Sequence, residues 1–144
     1  MPIKQESRNA FGQYLDRKVE QLRQVLINNL IYVGEAAVTE ARQRGRYKDR
    51  TGNLRSSIGY CVLDNGKAVK ESLFEVVNEG QQGATNGIAF LHSLATEHSS
   101  GLVLIVVAGM EYAQYVEAKN LDVIDSAEQL AERLLPQLME QLKL

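Results

Sequence analysis

Leu15, Val19, Leu22, Leu26, Leu30, Val33 and Ala37 stand three or four residues apart. That spacing stacks side chains on one face of an α-helix. The pattern holds over about residues 7–44 and predicts one long amphipathic helix. Val25, Ile27, Ile31 and Val38 widen the face beyond a narrow coiled-coil seam. The helix is therefore expected to lie on a sheet or against other helices, in part against a partner chain.

The helical pattern stops in "RQRGRYKDRTGN", where Gly45 and Gly52 loosen the chain and Thr51 and Asn53 suit the start of a short turn. "SIGYCVL" then alternates Ile58, Tyr60 and Val62 with Gly59, Cys61 and Leu63. Asn65-Gly66 follows as a hairpin turn, with a returning strand expected somewhere in 68–77. "NEGQQGATNG", residues 78–87, reads as a glycine-punctuated loop, and Ile88, Leu91, Leu94 and Ala95 as a short helix over 88–98. "GLVLIVVAGM" at 101–110 is rich in β-branched residues and suits a central strand covered on both faces. It is far shorter than the roughly 20 apolar residues of a membrane span.

In "EYAQYVEA", Tyr112, Tyr115 and Val116 fall at i, i+3 and i+4, which predicts a short helix with one aromatic-aliphatic stripe. "DSAEQLAERLLPQLMEQLKL" opens with Asp125 and Glu128 in near capping-box spacing and repeats Ala127, Leu130, Ala131, Leu134 and Leu138. It predicts a C-terminal helix that Pro136 kinks or splits near Leu135. The fold class expected is α+β: a long N-terminal helix and a C-terminal helix packed on a small, mainly antiparallel sheet. Residues 1–144 read as one domain, because 44 % apolar content supports a core without staples.

The sequence offers little for chemistry. No glycine run ends in Gly-Lys-Ser/Thr, and "GQQGATNG" follows no parallel βαβ start, so neither nucleotide nor dinucleotide binding is expected. His92 and His98 lack helical ligand spacing and Cys61 is the only cysteine, so no metal site, cofactor or disulfide is expected. A lone cysteine fits a reducing compartment, and within a strand it usually packs as a small hydrophobe. Ser56 and Ser57 have no histidine nearby in sequence. The chain is read as a non-enzyme, with a small hydrolase or transferase of unknown type as the remote catalytic reading. "MPIKQESRNAFG" has no apolar h-region and does not resemble a secretory signal.

Charge carries more information. Arg42, Arg44, Arg46, Lys48, Arg50 and Arg55 lie within fourteen residues, opposed only by Asp49. Residues 111–140 hold Glu111, Glu117, Asp122, Asp125, Glu128, Glu132 and Glu140 against Lys119 and Arg133. Such polarity reads as solvated surface, as docking between the basic segment of one subunit and the acidic face of the next, or as contact with passing DNA. The overall charge of -2 does not favour a dedicated nucleic-acid or anionic-membrane binder.

"RTGNLRSSI" at 50–58 and "EYAQYVEA" at 111–118 together resemble the phage tail-component family named after gene product ten of phage HK-ninety-seven, the tail-completion or neck proteins of long-tailed phages and prophages. The family pattern is a long N-terminal helix, Arg-Thr-Gly-x-Leu-Arg-x-Ser-Ile, strands, Tyr-Ala-x-Tyr-Val-Glu, and a C-terminal helix. Arg50, Thr51, Gly52, Leu54, Arg55, Ser57 and Ile58 match the first motif, with Asn53 at its free position. Tyr112, Ala113, Tyr115, Val116 and Glu117 match the second. After the glutamate the family often continues with an aromatic or small residue and Gly-Thr, whereas this chain reads "AKNLDV". The helix expected at 88–98 is an addition to the smallest members.

The resemblance implies a non-enzymatic morphogenesis protein at the head-proximal end of a tail. It would form a homo-oligomeric ring with other tail and neck proteins, meet DNA only in transit, and engage no membrane. It would reside in the bacterial cytoplasm during assembly and then in the virion. Physically, "RTGNLRSSI" reads as a structural joint. Thr51-Gly52-Asn53 would reverse the chain, Leu54 would anchor the turn, and Arg50 and Arg55 would bond carbonyls or carboxylates, Glu117 among the acidic candidates. The alternative function is DNA contact through 42–55, using Arg42, Arg44, Arg46 and Lys48.

Overall fold

The computed structural model describes residues 5–44, 52–108, 112–118 and 132. Helix α1 (Gln5–Arg44) is the long N-terminal helix. A single turn, α2 (Asn53–Ser56), leads to the hairpin β1 (Gly59–Asp64) and β2 (Lys67–Glu71). Asn65 and Gly66 join the two strands with φ of 49° and 85°, the paired positive values of a type I′ turn. Helix α3 (Gln81–Ala95) precedes β3 (Leu102–Ala108) and β4 (Tyr112–Ala118). The four strands form one antiparallel sheet in the order β2-β1-β3-β4.

Strand alternation sorts the core into two layers. Tyr60, Val62, Leu104 and Val106 face α1, where they meet Ile27, Leu30, Val33, Ala37 and Ala41. Cys61, Leu63, Val103, Ile105 and Val107 face the other way, onto Leu91 and Leu94 of α3 and onto Phe74. The run 102–108 is apolar at every position because β3 is covered on both faces. The expected α+β class and central strand are therefore observed.

The returning strand expected somewhere in 68–77 is observed as β2, which ends at Glu71, and the chain continues through 72–77 without helix or strand. Two expectations change. The stretch 78–87 is not all loop: α3 begins at Gln81 and includes Gly83 and Gly87, both buried. A Cβ on Gly87 would press on the Ser57 backbone and the Phe74 ring, so the missing side chain is what lets α3 lie this close. Tyr112–Ala118, expected as a helix, is a strand. Pairing with β3 puts Tyr115 and Val116 on opposite faces, Val116 against the α1 layer and Tyr115 exposed beside His98 with ring centroids 4.8 Å apart. The C-terminal helix expected over 125–144 lies outside the described residues except for Glu132, which is helical and exposed.

Candidate functional site: the joint and the strap it holds

Within "RTGNLRSSI", Arg50 and Thr51 lie outside the described residues. Gly52 has φ of +78°, and its carbonyl accepts from the Ser56 amide at 2.9 Å, closing the turn of α2. Ser57 donates its hydroxyl to the Leu54 carbonyl at 2.6 Å, and the Ser57 and Ile58 amides donate to the carbonyls of Leu54 and Arg55. Ser56, Ser57 and Ile58 are buried, while Leu54 is only half-buried. Leu54 is thus a weaker anchor than expected, and Ile58 holds the motif to the core.

Two arginines tie the joint to α1. Arg55 donates Nε to the Arg42 carbonyl at 3.1 Å, near the C-terminal end of α1 where carbonyls lack helical partners. Arg42 donates Nη2 to the Ile58 carbonyl at 2.6 Å and to the Leu73 carbonyl at 3.2 Å, and its Nη1 lies 3.7 Å from Glu75. Arg42 therefore acts as an internal tie. The side chain of Arg44 and all of Arg46 and Lys48 lie outside the description.

The same joint grips the segment 72–77. The Val77 amide donates to Ser56 Oγ at 2.8 Å. The Ser72 amide donates to the Tyr60 carbonyl at 2.9 Å, and the Tyr60 amide donates to Ser72 Oγ at 2.8 Å. With the Arg42 bond to Leu73, this backbone is held at three places along its length. Phe74 turns inward onto the α3 layer, whereas Leu73 and Val76 turn out, 82 % and 53 % exposed. The result is a pinned strap that presents apolar side chains to solvent, continued by the exposed Val69 of β2.

Sequence reasoning did not single out Ser72, Leu73, Phe74 or Val76. The available signal was a break in period: 73, 74, 76 and 77 are all apolar, which a strand with one apolar and one polar face does not accommodate.

Between the strap and α1 lies a cleft of about 200 Å³ lined by Glu35, Arg42, Lys70, Glu71 and Glu75 among others. That is below the roughly 300–1,000 Å³ of small-molecule sites. Its charges also answer one another, as in Arg42 with Glu75, and the nearby Tyr60 hydroxyl donates to Glu35 at 2.6 Å. His92 and Glu71 meet at 2.7 Å, but among the described residues no three candidate ligands gather for a metal. No helix among the described residues is long and apolar enough to cross a membrane.

In the second motif, β4 places Ala113 beside the α3 layer and Val116 beside the α1 layer, with Tyr115 and Glu117 exposed. The side chain of Tyr112 is not described. The two motifs are therefore not one cluster: the first holds the strap near β2, and the second forms the opposite sheet edge. Comparison with protein-family models, with curated proteins and with solved structures found no match.

Proposed function

We propose that this chain is a structural protein of phage or prophage morphogenesis, a tail-completion or neck component that works by subunit association. The observation that carries the reading is the strap. Leu73 and Val76 are exposed on backbone fixed by Ser56, Arg42 and Tyr60, so an association surface is ordered before a partner arrives. Preordering removes part of the entropy cost of binding. The resemblance of 50–58 and 111–118 to the tail-component family supplies the setting, in the host cytoplasm and then in the virion, alongside other neck proteins. DNA contact through 42–55 is less favoured, because Arg42 and Arg55 both direct guanidinium N–H groups at backbone carbonyls.

The test is to count this chain in density-purified particles from an induced culture of its source strain, relative to the major capsid protein. A fixed low ratio supports the reading, and absence from intact particles overturns it. The variant Leu73→Asp/Val76→Asp then locates the contact. Since both side chains are exposed, folding stability should change by only about 0.5 kcal/mol each. Incorporation into particles, or self-association where the free chain shows it, should be lost. A well-folded double variant that still enters particles at the normal ratio would remove the strap from the mechanism.

A further inference from the structure

Helix α1 carries an apolar face that the sheet does not cover. Among residues 9–26 no position is buried, and Phe11, Tyr14, Leu15, Val19, Leu22 and Val25 are 38–63 % exposed at three- and four-residue intervals. Lys18 is the one charged residue on this stripe, and its ammonium lies 5.6 Å from the Tyr14 ring centroid. The helical repeat turns Asp16, Arg17 and Glu20 off the stripe, and Arg23 is bound to Asp64.

The strap is the other exposed apolar surface, and its charge is of the opposite sign. Leu73 and Val76 turn outward with Val69 exposed beside them, and residues 70–79 hold Glu71, Glu75 and Glu79 against Lys70. The Arg42 guanidinium is committed to the carbonyls of Ile58 and Leu73, and Glu75 is exposed 3.7 Å from it. Stripe and strap do not meet within one chain. Arg23 is fixed at the hairpin end of β1 by Asp64, and Arg42 at the strap by Leu73, about 28 Å further along α1. Most of the stripe lies beyond Arg23, away from the strap. Between chains the two surfaces match. Two stripes packed centre to centre would oppose their Lys18 ammonium groups, and two straps their Glu75 carboxylates, whereas stripe on strap brings the one cation to the exposed carboxylates.

We propose that the strap of one chain docks head to tail on the α1 stripe of a second copy, with Lys18 beside Glu75. A pair leaves one stripe and one strap unfilled, so the contact propagates and closes into a ring where the rotation allows. This rests on the strap being the association surface of the proposed function and names what that surface binds. The strap offers few apolar side chains, and a contact below about 1,000 Å² holds two chains only weakly, so covalent capture is the readout.

The test replaces Leu73 with benzoylphenylalanine in one chain and irradiates it with a second chain labelled with heavy isotopes. The expected light-heavy product has the mass of two chains, with the adduct mapping to residues 11–25 of the heavy chain. Leu15→Asp/Leu22→Asp in the heavy chain should abolish it while the thermal transition persists, since both side chains are exposed. Lys18→Glu in the heavy chain should lower the yield about fivefold, and Glu75→Lys on the strap-bearing chain should restore it. A product of one-chain mass, an adduct on residues 69–76 of the heavy chain, no adduct, or one indifferent to the α1 variants would overturn the proposal. If crosslinking fails while the chain enters particles and the strap variant does not, the strap has a different partner and only this proposal falls. If crosslinking succeeds while intact particles lack the chain, the docking stands and only the tail-assembly reading falls.

Discussion

Gly52 and Gly101 share a backbone conformation and differ in surroundings, which separates two costs usually confounded. Their φ values are +78° and +77°. A Cβ on Gly101 would meet nothing within 4 Å, whereas one on Gly52 would collide with the Val77 carbonyl. Alanine at Gly101 should therefore cost only the left-handed penalty, about 1–2 kcal/mol. Alanine at Gly52 adds displacement of the strap backbone, and the total should exceed about 3 kcal/mol, among the larger effects of single substitutions. Chemical denaturation of the two variants measures the difference directly. Equal losses would mean that the Gly52 turn does not hold residue 77 in place.

At the scale of elements, the Val77 end of the strap is pinned through one hydroxyl. Ser56 is fully buried and its Oγ accepts from the Val77 amide. Ser56→Ala leaves that amide without this acceptor, which should cost about 1–3 kcal/mol. Amide exchange should speed at Val77 more than in β3, and uniform acceleration would mean that strap and sheet open as one unit. Elements fixed by local rules were legible in the sequence. The helical repeat marks α1, Asn65-Gly66 marks the hairpin, and the seven-residue apolar core of 101–110 marks a strand covered twice. Elements fixed by distant partners were not. Tyr112, Tyr115 and Val116 fit helical spacing as well as any amphipathic turn, and only the ladder to β3 decides for a strand. Gly87 looks like a loop residue until the closeness of Ser57 explains why α3 has no side chain there. In the candidate site, the turn at Gly52 could be read from the sequence, whereas for Arg55 carbonyls and carboxylates, Glu117 among them, stand open until the bond to the Arg42 carbonyl is seen. The strap could not, because each of its pins joins residues 12 to 31 apart in sequence.

At the scale of the whole molecule, a sheet covered on both sides makes alkaline stability a property of both layers. Cys61 faces the α3 layer, and burial, with the charge of Glu71 adding to it, pushes its thiol from an ordinary 9.0 up to about 12. Tyr60 faces the α1 layer, and its hydroxyl is raised above an ordinary 10.0 by burial first, then by its hydrogen bond to Glu35 and the charge of that carboxylate. Between pH 9 and about 12 the folded chain keeps a Cys61 proton that the unfolded chain has released. The stabilising contribution is therefore full below pH 9 and falls as pH rises, by about 1.4 kcal/mol per pH unit for each such group. Loss of stability should begin near pH 9 from Cys61 and steepen above pH 10 as Tyr60 joins it. Cys61→Ala lowers the baseline by opening a small cavity but should move the onset from about pH 9 to about pH 10 and reduce the slope above it. Denaturation midpoints from pH 7 to 11.5 would decide the matter, at about half-unit steps, each worth about 0.7 kcal/mol per group. Parallel curves for the two proteins would mean that the thiol meets solvent in the folded state and that the α3 layer covers the sheet less completely than the α1 layer does.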